Sequence, residues 1–273
     1  MAVDKLVDST QLDADLTSVA NAIRAKSGGS SQLAFPSGFV SEIGSIQTGG
    51  GGASTVDILQ GDAPSGAVSF KATKNIPGFA IAGRTGMTGL TIDLSDDYSI
   101  GRSGITDNSA LQTVHLTYPN NGNSLFVNYS ITNCSALQTV VIAGQIKQLD
   151  QNAVRGNSNL TAVDITSIAG EYGTYLKSNA FYGTKLNKLI LRQPTLVPLS
   201  GVNVFSSSPF ASGGTGGTIY IPKSLYDHLG DGTANDYKAA TNWATIDGYG
   251  TITWAKIEGS AYDGYYADGT AIA

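Results

Sequence analysis

The chain has 273 residues and a formal net charge of −5, and only 14% of its residues are charged, which is well below the usual quarter. Its 16 Lys and Arg residues do not cluster, so the composition predicts no nucleic-acid partner. No apolar run approaches the roughly 18 residues of a membrane span. The N-terminus, MAVDKLVDSTQLDADL, lacks the basic and apolar regions of a secretory signal peptide.

The first predicted element is a helix over residues 9–27. Thr10 and Asp13 at its start resemble a capping box, and Gly28 and Gly29 follow its end. Apolar residues at helical spacing form one seam along this helix: Leu12, Leu16, Val19 and Ile23. The seam has two interpretations. It joins copies of the chain into a homo-oligomer, of which a trimer is one form, or it packs on neighbouring segments of the same chain. Two heptads are too few to decide between them.

A second short helix is expected after Pro36 and Ser37, and the stretch TGGGGAS at 48–54 is typical of a flexible linker. After this linker the sequence becomes rich in β-strand patterns. The predicted organisation has four parts: an N-terminal helical attachment or oligomerisation module at 1–47, the linker at 48–54, a solenoid at 55–225, and a capping segment with a tail at 226–273.

The region beyond the linker repeats one apolar pattern, L-x-x-[VL]-x-[LI]. Its leading residues are 24, 26, 23 and 26 residues apart, a period typical of solenoids. The last two aliphatic residues of each copy alternate, so both point to one face of a short strand. One turn cannot bury that face alone, whereas stacked turns form a continuous core. The copies are Met87, Leu90 and Ile92; Leu111, Val114 and Leu116; Leu137, Val140 and Ile142; Leu160, Val163 and Ile165; and Leu186, Leu189 and Leu191.

The segments around these strands complete the predicted turns. An Asn or Cys before each Ser-x-Leu is expected to fill the turn interior, and Phe181 is expected in the core on the opposite side of the coil. The stretch TIYIP at 218–222 is predicted as the last strand. A helix at 235–246, with Tyr237 and Trp243 on one face, is expected to cover the open end of the solenoid. The fold class is therefore mostly β with short helices.

The repeats resemble the bacterial surface-antigen type of leucine-rich repeat, the BspA-like type. The resemblance is best at SNAFYGTKLNKLIL, residues 178–191, and extends over roughly residues 75–225. It implies a leucine-rich-repeat solenoid.

Two flanking stretches carry further resemblances. Residues 8–46 resemble the N-terminal module of structural proteins of phages and prophages. Residues 206–252 resemble the end that closes such repeat proteins, apart from an inserted GDGTAND at 230–236 and an extension at 261–273. These resemblances imply a virion protein, such as a tail fibre, a baseplate component or a head fibre, whose partners are other virion proteins.

The residues predict no catalytic, cofactor-binding or metal-binding site. His115 alternates with core positions and is expected to point outward, and Cys134 is expected to be a buried small side chain rather than a reactive thiol. Asp231, Asn235 and Asp236 offer oxygen atoms, but a plain turn explains them better than a calcium site does. Acids such as Asp96, Asp97, Asp164 and Glu171 have no spacing that pairs them as a glycosidase would require.

Tyrosines of the C-terminal tail are the candidate ligand-binding residues: Tyr262, Tyr265 and Tyr266. Tyrosine suits contact with a glycan or a protein because it offers area at low entropy cost. The alternative is that they pack on the chain or a neighbouring subunit. The expected function is non-enzymatic attachment of a phage particle to a host-surface glycan or protein, in a chain made in the host cytoplasm. A bacterial surface adhesin and a glycan-depolymerising tailspike are the alternatives.

Overall fold

A computed structural model describes residues 9–27, 65–119, 124–126, 129–168 and 176–257. The chain divides into two compact units, Met1–Gly51 and Gly52–Ala273. The predicted linker at 48–54, the helix expected after Pro36 and the three tail tyrosines lie outside the described residues, and these predictions stay open.

The described part of the first unit is one helix, α1, at Ser9–Ser27. Ala20 and Ile23 are buried, and Leu16 packs against them. Val19 is 49% exposed, and the side chain of Leu12 lies outside the description. The predicted seam therefore contains one buried and one exposed residue, and its role in joining copies of the chain remains a prediction. No helix among the described residues is long and apolar enough to cross a membrane.

The second unit is a parallel β-solenoid of about five turns. Its main sheet runs in the order β1-β3-β5-β8-β9-β10-β11-β12, and β6 pairs with part of β8. The strands of this sheet are β1 Gly66–Lys71, β3 Met87–Asp93, β5 Thr113–Thr117, β6 Ser124–Phe126, β8 Thr139–Leu149, β9 Ala162–Ile168, β10 Lys188–Leu191, β11 Gly217–Ile221 and β12 Ile252–Lys256.

A shorter parallel sheet lies elsewhere on the coil, in the order β2-β4-β7. Its strands are β2 Ile81–Ala82, β4 Ile105–Thr106 and β7 Ile131–Thr132. The same isoleucine position pairs from turn to turn, with Ile81 beside Ile105 and Ile105 beside Ile131. All three side chains are fully buried, so the two sheets enclose one common interior.

The predicted aliphatic repeat fills that interior. Val114 of β5 stands in register with Val140 of β8, and Val140 with Val163 of β9. The alternate aliphatic residues form a second ladder two positions along each strand. Every repeat residue named from the sequence is at most 2% exposed, as is Phe181. The inward stacking of the repeats, coil upon coil, is therefore confirmed.

Side-chain amides inside the turns satisfy backbone groups that no strand partner reaches. The Asn157 side chain accepts a hydrogen bond from the Cys134 N–H at 2.9 Å and donates to the carbonyls of Ile131 and Val154 at 2.9 and 2.7 Å. Asn108 similarly donates to the Ile81 carbonyl at 2.8 Å. Asn157 and Asn108 are fully buried, and Cys134 occupies the equivalent position between them. Buried amides of this kind are expected because unpaired backbone groups are costly.

One glycine marks an irregular turn. At Gly144, β8 stops pairing with β5 before it pairs with β6, and its register with β9 shifts nearby. Gly144 has a φ of 80°, and a Cβ there would overlap the Tyr118 carbonyl. Only glycine fits this backbone position.

The C-terminal end of the solenoid differs from the prediction in two ways. The strand at TIYIP is not the last, because β12 pairs with β11 and extends the main sheet to Lys256. The helix predicted at 235–246 is wrong for most of its length, since only α3, at Trp243–Asp247, is helical there. A short helix α2, at Lys223–Tyr226, and a 3-10 helix at Val202–Phe205 complete this end.

Aromatic packing makes these short elements stable despite their length. Tyr237 and Trp243 are fully buried, with ring centroids 5.2 Å apart. The Val197 N–H donates to the Tyr237 hydroxyl at 3.0 Å, and the Trp243 indole N–H donates to the Val197 carbonyl at 2.6 Å. Tertiary contacts with the preceding turn thus replace the helical hydrogen bonds that the sequence predicted.

Candidate binding surface

Five successive turns of the solenoid bend at a left-handed residue, which in the first three lies just before a strand of the shorter sheet. The residues at this bend have φ values between 55° and 59°, and they are Phe79, Ser103, Tyr129, Asn152 and Asn179. Backbone hydrogen bonds link successive bends, since the Phe79 N–H donates to the Ser103 carbonyl and the Ser103 N–H donates to that of Tyr129. The bend is therefore a repeated corner of the fold.

The corner accommodates its residues at different cost. Asn tolerates the left-handed region because its short side chain bonds locally, whereas a bulky side chain there is an outlier. Phe79 and Tyr129 occupy the corner nevertheless, and the Phe79 ring is 69% exposed. Burial does not explain an exposed ring at a strained position. Such strain is often retained where the side chain has a function.

Arginine and tyrosine side chains alternate along this corner, one from each successive turn. The Arg102 guanidinium lies 4.8 Å from the centroid of the Tyr129 ring. The Arg155 guanidinium lies 5.9 Å from the same ring and 4.6 Å from that of Tyr182. Arg155 also approaches the Tyr129 hydroxyl, at 3.4 Å. These distances are those of cation–π contacts. We call Phe79, Arg102, Tyr129, Arg155 and Tyr182 the corner strip.

The corner strip is open to solvent and carries positive charge. Arg102 is exposed, and Tyr129, Arg155 and Tyr182 are half-buried. Among the residues that the structure describes, no carboxylate forms an ion pair with Arg102 or Arg155. The tyrosine rings hold both guanidinium groups without neutralising them. The guanidinium N–H groups can therefore donate to an acceptor on a ligand. Arginine presents these donors in a forked geometry.

The outward face of the main sheet has a different character. The Arg192 guanidinium donates two hydrogen bonds to the Asp164 carboxylate, at 2.9 and 2.8 Å. Both side chains are buried, so this ion pair links β9 to the residue that follows β10 and does not face a ligand. His115 is in the same outward row, as predicted, but it is half-buried. Burial lowers the pKa of its imidazole, although the charge of Asp164 acts in the opposite direction.

Cys134 behaves as the sequence predicted. Its side chain is fully buried, and burial raises the pKa of its thiol to about 11. The thiolate is the reactive form of cysteine, so a thiol with this pKa in the turn interior is a packing group.

The loop inserted at 230–236 is organised by one carboxylate. The Asp236 side chain accepts hydrogen bonds from the backbone N–H groups of Gly230, Gly232 and Lys238, at 2.8–3.0 Å. Burial raises the pKa of Asp236, but these donors outweigh it and the pKa is lowered. Its oxygens serve the turn, which favours the turn over the calcium alternative. Within the described ranges no three His, Cys, Asp or Glu side chains gather as a metal site would require.

The acids considered for glycan cleavage do not converge in the described part of the chain. Asp96 forms an exposed ion pair with Lys71 at 3.0 Å, and Asp164 is held by Arg192. Glu171 lies outside the described residues. The candidate ligand-binding residues Tyr262, Tyr265 and Tyr266 lie outside them as well.

The corner strip was not predicted from the sequence, although the sequence contains a signal for it. Arg102, Tyr129, Arg155 and Tyr182 are 27, 26 and 27 residues apart, close to the period of the leucines. A search for polar and aromatic residues in step with the apolar repeat would have found them.

Comparisons of the chain with protein-family models, curated proteins and solved structures found no match.

Proposed function

We propose that this chain is a non-enzymatic adhesive protein of a phage particle and that the corner strip is its contact surface. The corner strip is the observation that supports the adhesive part of this proposal. It places phenylalanine, tyrosine and arginine, exposed or half-buried, on successive turns, at a corner where two aromatic residues adopt an unfavourable backbone conformation. Tyr and Arg are the residue types that most often dominate binding interfaces.

The virion part of the proposal is supported by resemblance of the sequence. Residues 8–46 resemble the N-terminal module of phage structural proteins, and residues 178–191 resemble a BspA-like leucine-rich repeat. Asn108, Cys134 and Asn157 recur at one buried position of successive turns, which supports a repeated structural unit. In this proposal the first unit attaches the chain to other virion proteins or joins copies through Leu12, Leu16, Val19 and Ile23.

The C-terminal end acts in this proposal as a cap. A solenoid that ends abruptly exposes its core and the edge of its sheet. Tyr237 and Trp243 cover the interior beside Val197, and their burial supports the capping role. A capped solenoid stays soluble while its corner remains free for contact.

The corner strip can be tested with a variant that should keep the fold. In the full chain, the double substitution Phe79→Asn and Tyr129→Asn removes two rings and introduces the residue that the same corner has at Asn152 and Asn179. We expect the wild type to bind components of an array of bacterial surface polysaccharides and proteins. We expect the double variant to lose at least tenfold in affinity, because truncating hot-spot aromatic residues costs 2 kcal/mol or more.

Lys188→Gln is the matched control. The Lys188 ammonium also lies over a tyrosine ring, that of Tyr220, at 5.5 Å, but on the main sheet. The Lys188→Gln variant should bind with the same affinity as the wild type. Equal binding by the double variant, or no binding by the wild type, would contradict the adhesive function. Mass spectrometry of purified particles tests the virion part, and the absence of this chain from them would contradict it.

A further inference from the structure

The two arginines of the corner strip carry information about the chemistry of the ligand. Each guanidinium is held against a tyrosine ring, so its orientation is restricted before any ligand arrives. A pre-oriented guanidinium loses less entropy on binding, and its parallel N–H groups match the oxygens of a carboxylate or a sulfate. A neutral sugar or an apolar peptide would leave both charges without an anionic partner.

The net charge of the chain limits where an anionic ligand can bind. The protein as a whole is acidic, with a net charge of −5, yet Arg102 and Arg155 have no carboxylate partner among the described residues. The rest of the surface repels an anionic polymer at long range, although salt screens this repulsion within about 10 Å. Attraction is therefore confined to short-range contacts with the strip. A ligand with few, widely spaced charges is favoured because the rest of the surface repels it less.

The spacing of the arginines indicates how far apart those charges lie. Arg102 and Arg155 come from turns on either side of that of Tyr129. Two inter-strand spacings of a β-sheet separate these turns by roughly 10 Å, and the two guanidinium groups lie 4.8 and 5.9 Å from the Tyr129 ring centroid. An extended β-linked polysaccharide advances by a similar length with each disaccharide. The phosphates of a nucleic acid strand recur more closely, at about 3.4 Å of helix rise.

We infer that the corner strip binds an anionic polysaccharide that carries about one acidic group in each disaccharide. Arg102 and Arg155 donate to successive acidic groups, and the exposed Phe79 ring lies against an apolar face of a sugar at one end of the strip. This inference rests on the proposed adhesive function and adds the class of ligand.

The test uses the full chain and biolayer interferometry with defined polymers. Hyaluronan has one carboxylate per disaccharide, and its methyl ester is the same polymer without the charge. Chondroitin sulfate is a second anionic chain, and oligothymidine represents nucleic acid. We expect binding to hyaluronan or chondroitin sulfate and at least tenfold weaker binding to the methyl ester. Arg102→Gln and Arg155→Gln should each weaken binding roughly tenfold, as expected for loss of a charged hydrogen bond.

Two controls separate recognition from folding. Lys188→Gln removes a cation of similar environment from another face and should change affinity by less than twofold. Arg102 is exposed and makes one cation–π contact, so Arg102→Gln should shift the thermal melting midpoint by only a few degrees, even if Arg155→Gln shifts it further. Arg102→Lys keeps the charge but loses the forked geometry, and its affinity should fall between those of the wild type and Arg102→Gln.

Three results would overturn the inference: equal affinity for hyaluronan and its methyl ester, no binding to either anionic polysaccharide, or tighter binding to oligothymidine. The proposed adhesive function is tested separately, with the Phe79→Asn and Tyr129→Asn double variant. If that variant loses binding to a neutral glycan or a protein, the strip is adhesive but its ligand is not anionic. If it keeps all binding of the wild type, the adhesive function itself is wrong.

Discussion

The interior of the solenoid and its corner strip follow the same sequence period but different physical rules. Inside, each turn supplies an aliphatic or aromatic side chain to one ladder, and the members differ little in chemistry. Along the corner, neighbouring turns supply phenylalanine, arginine and tyrosine, which cannot replace one another. The interior determines whether the chain folds, whereas in the proposed function the strip determines what the folded chain contacts. Substitutions that separate stability from binding test this division.

The largest expected effect comes from the aromatic interior. Phe205 is fully buried, and its ring stacks on that of Phe181 with centroids 5.4 Å apart. Phe205→Ala should lower the free energy of unfolding by about 4 kcal/mol, because it removes buried surface and leaves a cavity. Phe79→Ala removes the same side chain from the exposed strip and should change it by no more than about 0.5 kcal/mol. Urea unfolding measures both, and similar losses would contradict the division.

A smaller effect is expected from the amides that close the turns. Asn157→Ala leaves the Cys134 N–H and the carbonyls of Ile131 and Val154 without their partner, and should cost about 3 kcal/mol. Asn159 is the matched control, since it donates to the Ser135 carbonyl at 2.8 Å from an exposed position. Asn159→Ala should cost less than about 1 kcal/mol because water replaces the lost partner. Equal costs in urea unfolding would show that burial of the amide is unimportant.

The smallest effect is expected at the corner itself. Tyr129→Asn removes cation–π contacts worth about 0.5–1 kcal/mol each at exposed sites, and it relieves a left-handed bulky residue, which costs about 1 kcal/mol or more. The two changes nearly cancel, so the free energy of unfolding should stay within about 1 kcal/mol of the wild type. A much larger loss would mean that the Tyr129 ring stabilises the turns and is not reserved for contact.

The sequence predicted the interior well because the interior depends on a simple alternation. Residues such as Val140 and Ile142 need only be apolar and two positions apart to share a face of a strand, and their recurrence identified the coil. The same reasoning placed Phe181 in the core and Cys134 in the turn, and it predicted that His115 points outward.

The parts that escaped prediction depend on contacts between distant segments. The segment around Tyr237 was predicted to be helical from its local pattern, but its side chain bonds to Val197 instead. β12 joins the main sheet through backbone pairing with β11, and the local pattern of its side chains does not predict this pairing. The period of the arginines and tyrosines of the corner strip is present in the sequence, but the left-handed conformation that places Tyr129 at the corner cannot be predicted from a residue type that normally avoids it. In each case tertiary context overrode local preference.

The left-handed corner also bears on how such a chain can change in length. Since each turn contacts mainly the turns beside it, tandem duplication of one unit of about 26 residues would leave the flanking coils in place. The copied unit would bring its own aliphatic residues for the core and its own Arg or Tyr for the outside. A longer solenoid would therefore gain Arg or Tyr residues on its outside in proportion to its added turns, without separate changes elsewhere on the surface.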